Sequence, residues 1–270
     1  MKVNRPKHLI IEAVGKFQYL SAFQLARYQF SPTSLTYVQA NVAELITAGY
    51  LKKLGLPKIK GRPRAFYTLS PKGYSYLEDP SLPTPPRFKD IDEPYRNALF
   101  LLHTEAANDL VILAHNLPRE DKRFTVTRSM SEAQLKKRRV RVKPDGWIEL
   151  TATGTIAIAF EMDRGTEGRS DWEKKILAYA SYIEGEYQQD FATQKLTIAI
   201  IATTQRRLVD LIRWTGEILI DNAVTHLSPW LYFAHFNPVE ITPTQAFLWP
   251  IWVTVDDPTP QPLLPKGILG

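Results

Sequence analysis

Acidic and basic side chains of the kind that bind a divalent cation and a phosphodiester are concentrated between residues 144 and 175. Asp145 follows a proline, and Glu161 and Asp163 follow a β-prone segment. Magnesium prefers hard oxygen ligands and is commonly held by one or two carboxylates, with water and phosphate completing its shell. Asp145 and Glu161 are therefore the predicted ligands of Mg²⁺ or Mn²⁺. Lys175 is predicted to orient or deprotonate the attacking water and to offset negative charge on the phosphorane.

The strands that position these residues are predicted from alternation along the chain. Residues 155–160 alternate large and small side chains, which favours a half-buried strand with Glu161 and Asp163 on one face at its end. Residues 138–143 also alternate, and the proline that follows can end a strand because it donates no ladder hydrogen bond. We therefore expect Asp145 at the exit of a strand.

A helix is predicted over residues 170–187. Ser170 and Glu173 have the spacing of a capping box, in which each side chain bonds the backbone of the other residue. Lys175 and Tyr179 are four residues apart, so they share the helix face that looks back at the strand ends.

Ordinary structural roles remain open for the same residues. An aspartate after a proline, such as Asp145, is commonly a turn residue that bonds its own backbone. Glu161 and Asp163 could be solvated charges at a strand end, where surface ion pairs contribute little. Tyr179 could simply pack in the core.

The composition predicts a folded, intracellular protein. The chain has 270 residues, 44% of them hydrophobic, which is enough for one large or two modest domains. It has no cysteine, which excludes disulfides and thiolate sites and fits a reducing compartment. No run approaches the ~18 apolar residues of a membrane span, so we expect a cytoplasmic location and no membrane partner.

The net charge of +6 is unevenly distributed. Residues 1–79 hold 12 Lys and Arg against 4 Asp and Glu, a balance of +8, and the remainder has a balance of −2. Residues 80–93 are rich in proline and predict a stiff linker. We therefore predict a basic first domain (1–79), a linker (80–93), a second domain (94–255) and a proline-rich tail (256–270).

The first domain is predicted to be a winged helix-turn-helix. Three helical segments, ending with one from about Ser34 to Ala48, precede two β-prone runs that flank a basic loop. In that fold the third helix enters the major groove and the wing contacts the backbone. The predicted DNA contacts of the helix are Ser34, Thr36, Tyr37, Gln39 and Asn41, and those of the wing are Lys58, Lys60, Arg62 and Arg64. Winged helices also bind proteins, and the basic loop could merely be solvated.

The second domain is predicted to have an α/β order. It reads helix (94–115), three strands (124–128, 138–143 and 154–161), helix (170–187), strand (196–203) and helix (204–222). A basic run precedes Asp145, and from it Lys136, Arg138 and Arg139 are predicted to hold a nucleic-acid strand. A solvated edge strand is the alternative, because edge charges discourage sheet-to-sheet association.

Three motifs carry a resemblance to a known family. They are Lys143-Pro144-Asp145-Gly146, the run from Phe160 to Glu167, and the segment from Lys175 to Tyr179. At these residues the chain resembles the PD-(D/E)xK nuclease superfamily, and more narrowly the replication-relaxation family of plasmid and mobile-element proteins. The resemblance implies an α+β protein in which a winged helix is joined to a restriction-endonuclease-like αβββαβ domain.

The resemblance also bears on individual residues. Superfamily members often carry an acid on the first core helix, so Glu105 is a further candidate ligand, although it could be an ordinary boundary glutamate. Where an active member usually has lysine, two residues after the glutamate, this chain has Asp163. Either Lys175 replaces that lysine from the next helix, or the site is inactive.

The expected function is that of a DNA-binding protein of a plasmid or mobile element. The winged helix would hold double-stranded DNA, and the nuclease-like domain would act on it or hold it. One alternative is an active Mg²⁺-dependent endonuclease or nickase. Another is a regulator or adaptor with an inactive nuclease fold and a protein partner. A homodimer and a second mobile-element protein are the candidate protein partners.

Overall fold

The computed structural model describes residues 2–55, 65–82, 94–193 and 196–264, with the backbone alone for 94–97. By its contacts the chain divides into two units, one of residues 1–112 and 130–139 and the other of residues 113–129 and 140–270. The structure has a mixed α+β architecture with two separate sheets. The domain boundaries predicted from the sequence stay a prediction, because most of the linker lies outside the described residues.

The first unit combines helices with a small antiparallel sheet. Its elements up to residue 77 are α1 (Arg5–Phe17), β1 (Leu20–Ser21), α2 (Ala22–Gln29), α3 (Leu35–Thr47), β2 (Leu51–Gly55), β3 (Ala65–Leu69) and α4 (Pro71–Leu77). The sheet order is β1-β3-β2, and Leu51 pairs with Leu69 in β3. The helix order and the strand pair that alternation predicted are both present.

Local signals account for these elements. The Ser21 and Gln24 side chains form a capping box at the start of α2. A 3₁₀ turn over Pro32–Ser34 separates α2 from α3. After α3, Gly49 adopts a φ of +79°, the left-handed conformation that commonly ends a helix at glycine.

A buried ion pair joins α2 to the long helix α5 (Pro94–Glu120). Arg27 Nη1 lies 2.7 Å from Asp109 Oδ1, and the two side chains are only 8% and 6% exposed. Burial raises the pKa of Asp109 to about 7, although the Arg27 guanidinium opposes that rise. Each charge needs the other here, because an unpaired buried charge is strongly destabilising.

The second unit is built on a five-stranded sheet of order β4-β5-β6-β7-β8. Its strands are β4 (Thr125–Ser131), β5 (Gly146–Thr151), β6 (Thr155–Asp163), β7 (Thr197–Ala202) and β8 (Leu231–His235). The helices are α7 (Arg169–Glu184), α8 (Tyr187–Phe191), α9 (Gln205–Asp221) and α10 (Pro243–Leu248). β5 and β6 form an antiparallel hairpin, whereas β6, β7 and β8 run parallel.

The parallel strands bring several chain segments to one edge of the sheet. Asp163 at the end of β6 is opposite Ala202 at the end of β7. The carboxyl ends of parallel strands and the starts of the helices that follow them meet at such an edge. The first turns of α7 and α9 therefore lie near the end of β6.

One predicted strand is wrong. The strand predicted over residues 138–143 is absent from the structure. Residues 132–138 form helix α6 (Glu132–Arg138), and residues 139–143 lie in no strand. The Ser131 and Gln134 side chains form a capping box at the start of α6, and Glu132 pairs with Lys136 one turn later. These signals make residues 132–138 helical, and Arg139 ends the helix with a φ of +59°, which leaves the alternating residues 140–143 outside any element. Asp145 consequently precedes β5 instead of following a strand.

The predicted capping box of α7 is also wrong. The helix begins at Arg169 with Gly168 as its N-cap, and no side chain caps it. Ser170 therefore lies inside the first turn, two residues after the N-cap position.

Candidate functional site

Asp145 is tied to β6 on both sides of Glu161. Its backbone N–H donates to the carbonyl of Phe160 at 2.9 Å, which extends the β5–β6 ladder by one residue. Its carboxylate Oδ2 accepts a 2.8 Å hydrogen bond from the backbone N–H of Met162. The Asp145 carboxylate is thus fixed against the strand that carries Glu161.

Glu161 is buried at 4% exposure and is held by two side chains of α7. Lys175 Nζ lies 3.0 Å from Glu161 Oε2, and Tyr179 donates its hydroxyl to Glu161 Oε1 at 2.5 Å. Lys175 and Tyr179 act together because residues four apart on a helix share a face. The structure therefore brings Asp145, Glu161 and Lys175 together. Tyr179 is buried as the core interpretation expects, and it also contacts Glu161.

The electrostatics of this group follow from burial and from the opposite charges. Burial raises the pKa of Glu161 to about 7; Lys175 opposes the rise and Asp145 adds to it. Burial would lower the pKa of Lys175, but the carboxylates of Glu161 and Glu167 raise it above its ordinary value. Burial and Glu161 hold the pKa of Tyr179 well above 10. At neutral pH Lys175 is a cation and Tyr179 a neutral donor.

The oxygen donors of this group fit a hard divalent cation. Asp145 and Glu161 provide carboxylates, and an oxygen that accepts one hydrogen bond keeps a second lone-pair site. Glu167 Oε2 is buried and has no hydrogen-bond partner among the described residues. Magnesium is usually held by one or two carboxylates plus water and phosphate. Asp145 and Glu161 are the residues that would hold it.

Asp163 is engaged by an arginine that sequence reasoning missed. Arg207, in the first turn of α9, binds both carboxylate oxygens of Asp163, at 2.7 Å and 2.8 Å. Its Nη2 also donates to the backbone carbonyl of Glu167 at 2.7 Å. The parallel order of β6 and β7 could have indicated Arg207, because that order brings the start of α9 to the end of β6.

Glu167 is a second residue that sequence reasoning did not select as a site residue. Its Oε1 accepts a 2.9 Å hydrogen bond from Lys175, so Lys175 lies between two carboxylates, those of Glu161 and Glu167. Glu167 belongs to the run from Phe160 to Glu167 that carries the family resemblance, and this was the available signal.

Glu105, the further candidate ligand, lies on α5 in the first unit. Its backbone carbonyl accepts a 2.8 Å hydrogen bond from Gln24 Nε2. Its carboxylate adds to the rise in the pKa of Asp109, one turn along α5. A role for Glu105 as a ligand stays a prediction.

The predicted DNA-reading helix α3 presents polar side chains to solvent. Thr36, Tyr37 and Gln39 are exposed, Tyr37 at 48%, and Ser34 is half-buried just before the helix. The expectation that Asn41 faces outward is wrong, because it is 7% exposed and its amide nitrogen donates to the carbonyl of Tyr37. Asn41 is three residues after buried Val38 and four before buried Leu45, so it lies on the side of α3 that packs inward.

The predicted basic contacts fall into two groups. Those of the wing, Lys58, Lys60, Arg62 and Arg64, lie outside the described residues. Lys136, Arg138 and Arg139 are exposed at the end of α6 and just after it. Arg139 has a φ of +59°, the left-handed conformation that ends the helix. Within the described ranges, no helix combines the length and the apolar character needed to cross a membrane.

Comparisons with known proteins give one family. No curated protein matches the chain. Among solved structures, the Bacillus subtilis PadR in complex with operator DNA aligns at 12% identity, covering 84% of this chain and 98% of that chain, with a TM-score of 0.27. A TM-score at that level does not establish a common fold. The family model described as replication-relaxation matches residues 11–196, which include Asp145, Glu161 and Lys175. This match spans well over half of the residues, and the chain belongs to the replication-relaxation family.

Proposed function

We propose that the chain is a double-stranded DNA-binding protein of a plasmid or mobile element, and that α3 enters the major groove. The observation that carries this proposal is the exposed face of α3, where Thr36, Tyr37 and Gln39 project away from the buried residue Val38. In a winged helix the corresponding helix lies in the groove with its first turns against the bases. The order α1-β1-α2-α3-β2-β3 is that of a winged helix.

The chemistry of this face suits DNA. A glutamine amide such as that of Gln39 can bond the N6 and N7 edge of adenine, whereas Thr36 and Tyr37 can meet phosphates or bases. The balance of +8 over residues 1–79 supplies the field that attracts a polyanion. The exposed cations around the end of α6 add to the same attraction.

Fluorescence anisotropy with labelled duplexes tests this proposal. We expect Gln39→Ala to cost about 1–3 kcal/mol of discrimination at a specific site, and Thr36→Ala to weaken binding. Thr47→Ala is the matched control, because it makes the same deletion on an exposed threonine about 16 Å further along α3. If the Gln39→Ala and Thr36→Ala proteins bind the specific duplex as tightly as the Thr47→Ala and wild-type proteins do, α3 is not the helix that reads the DNA.

A second candidate function is divalent-metal-dependent hydrolysis of DNA. The observation that favours it is that the buried carboxylates of Asp145 and Glu161 lie together with the half-buried Lys175. The helix, three strands, helix and strand formed by α5, β4, β5, β6, α7 and β7 agree with a nuclease-like αβββαβ core, with α6 inserted after β4. A bound Mg²⁺ would polarise the phosphodiester and lower the pKa of a water molecule.

The protein groups have separate parts in this reaction. Asp145 and Glu161 would hold the cation, and Tyr179 fixes the orientation of the Glu161 carboxylate. Lys175 keeps its proton at neutral pH, since neighbouring carboxylates raise its pKa. It therefore offsets the negative charge that develops on the phosphorane and does not act as the base that activates water.

Nicking of supercoiled plasmid in Mg²⁺ or Mn²⁺ tests the second candidate. We expect the wild-type protein to produce open circles, and Asp145→Asn and Glu161→Gln to abolish nicking while leaving DNA affinity nearly intact. Glu173→Gln makes the same chemical change as Glu161→Gln, but on α7, and should nick normally. An intact plasmid with the wild-type protein in both metals would exclude the hydrolytic function.

A further inference from the structure

The Arg207 side chain is held by contacts with Asp163, with the Glu167 backbone carbonyl and with the Trp214 ring. It is 13% exposed and forms two parallel hydrogen bonds with Asp163, whose side chain is 2% exposed. Its guanidinium lies over the ring of Trp214, 4.8 Å from the centroid. The Thr204 side chain accepts a hydrogen bond from the Arg207 backbone N–H and so caps α9. Paired forks of this kind between arginine and carboxylate are geometrically specific as well as strong.

The loop between β6 and α7 is anchored by the same arginine. Asp163 Oδ1 accepts a 2.8 Å hydrogen bond from the N–H of Gly165, which turns the chain with a φ of +75°. Two residues later, the Glu167 carbonyl accepts a 2.7 Å hydrogen bond from Arg207 Nη2. Arg207 thus holds the loop at its start and near its end.

The anchored loop determines where Glu167 places its carboxylate. Glu167 Oε1 lies 2.9 Å from Lys175 Nζ, and Glu161 Oε2 lies 3.0 Å from the same nitrogen. Without the carbonyl contact to Arg207, the backbone of Glu167 would lose its tie to α9. Lys175 would then keep Glu161 as its one fixed carboxylate partner among the contacts described.

We propose that Arg207 and Asp163 form a positioning clamp, which acts through Glu167 to hold the Lys175 ammonium group beside Glu161. The clamp rests on the hydrolytic function proposed for this site. Arg207 binds both Asp163 oxygens, and Oδ1 also accepts the Gly165 N–H, so we assign Asp163 a positioning role. Asp163 stands two residues after Glu161, at the position where an active member of the nuclease superfamily usually has its lysine.

The position of Lys175 can be followed without any reaction. We expect the Lys175 ammonium group, held between the carboxylates of Glu161 and Glu167, to exchange slowly enough to give a ¹⁵N–¹H correlation, which Lys175→Arg assigns. We expect this signal in the wild-type protein and its loss in Arg207→Gln and Asp163→Asn, as in the reference variant Glu167→Gln. Arg213→Gln removes an exposed arginine from the same helix and should keep the signal.

Arg207→Lys separates positioning from stability. It keeps a charge beside Asp163, but an ammonium group cannot reproduce the planar fork and reach the Glu167 carbonyl at once. We expect this protein to unfold near the wild-type temperature and yet lose the Lys175 signal. For plasmid nicking we expect kcat to fall about 10- to 100-fold, as it does when a residue that orients the side chains of a metal site is replaced. We expect KM to be nearly unchanged.

The outcomes distinguish the clamp from the hydrolytic function. Absence of nicking by the wild-type protein removes the hydrolytic function, and the Lys175 signal then decides the clamp alone. A folded Arg207→Lys or Asp163→Asn protein that keeps the Lys175 signal and normal kcat overturns the clamp. If Arg207→Gln does not fold, these two variants carry the test.

Discussion

Replacing Glu161 by glutamine is expected to change how the stability of the protein depends on pH. Glu161 is buried, and burial raises its pKa from 4.5 to about 7 although Lys175 lies within 3.0 Å. The folded state therefore holds this proton more tightly than the unfolded chain does. The stabilisation that comes from the Glu161 proton is fully present below pH 4.5 and is lost as the pH rises towards 7.

The magnitude follows from the same two values. One pKa unit corresponds to about 1.4 kcal/mol, so the rise from 4.5 to about 7 corresponds to about 3 kcal/mol. Glu161→Gln removes the titrating proton and keeps the side-chain shape. The unfolding free energy of the wild-type protein minus that of Glu161→Gln should therefore fall by about 3 kcal/mol between pH 4.5 and 7.

Urea unfolding at several pH values, followed by tryptophan fluorescence and circular dichroism, measures this difference. Asp109 also has a pKa raised to about 7, but it is present in both proteins and cancels. Glu173→Gln is the control, since residues two apart on a helix do not face each other and Glu173 therefore points away from Lys175. Parallel pH profiles for the wild-type and Glu161→Gln proteins would refute the buried, high-pKa carboxyl group.

Three further predictions concern the ion pair of the first unit, the loop after β6 and the metal. Arg27→Met should cost about 3–5 kcal/mol in urea unfolding by leaving Asp109 unpaired, and Asp109→Leu added to it should recover most of the loss. Gly165→Ala should cost about 1–2 kcal/mol, because only glycine adopts its φ of +75° without strain, whereas Gly154→Ala should be nearly neutral. Mn²⁺ binding, followed by electron paramagnetic resonance, should weaken as pH falls below about 7, because Glu161 must lose its proton to become a ligand.

Periodicity and capping signals in the sequence were sufficient to predict most of the helices and strands. The turn at Pro32–Ser34 and the glycine after α3 placed the helices of the first unit, because both signals act within a few residues. Alternation placed β6, whose end carries Glu161 and Asp163. The motifs between Asp145 and Tyr179 also identified the family.

The errors arose where two local patterns competed. Residues 138–143 alternate like a strand, yet the capping box of Ser131 and Gln134 starts a helix just before them. Asn41 is polar, and its polarity predicts a side chain that faces solvent on the helix proposed to read DNA. Asn41 lies three residues after Val38 and four before Leu45, so it shares their inner face, where its amide nitrogen donates to the Tyr37 carbonyl.

The contacts of Arg207 and Glu167 depend on tertiary structure. Arg207 lies 44 residues after Asp163 and meets it because β6 and β7 run parallel. Single-sequence patterns describe the neighbours of a residue along the chain, and strand pairing decides its neighbours in space. The partners of Lys175 were therefore only partly predictable. The motif predicted Glu161 as a partner, whereas the contact with Glu167 depends on how the loop after β6 folds.

The proposal that the chain binds double-stranded DNA is tested by the salt dependence of its affinity. With about 6–10 phosphate contacts, the affinity measured by anisotropy should fall about 10³- to 10⁵-fold between ~50 and ~200 mM salt, since each contact releases counterions. An affinity that does not change over this range, or no binding to duplex at ~50 mM salt, would contradict the claim.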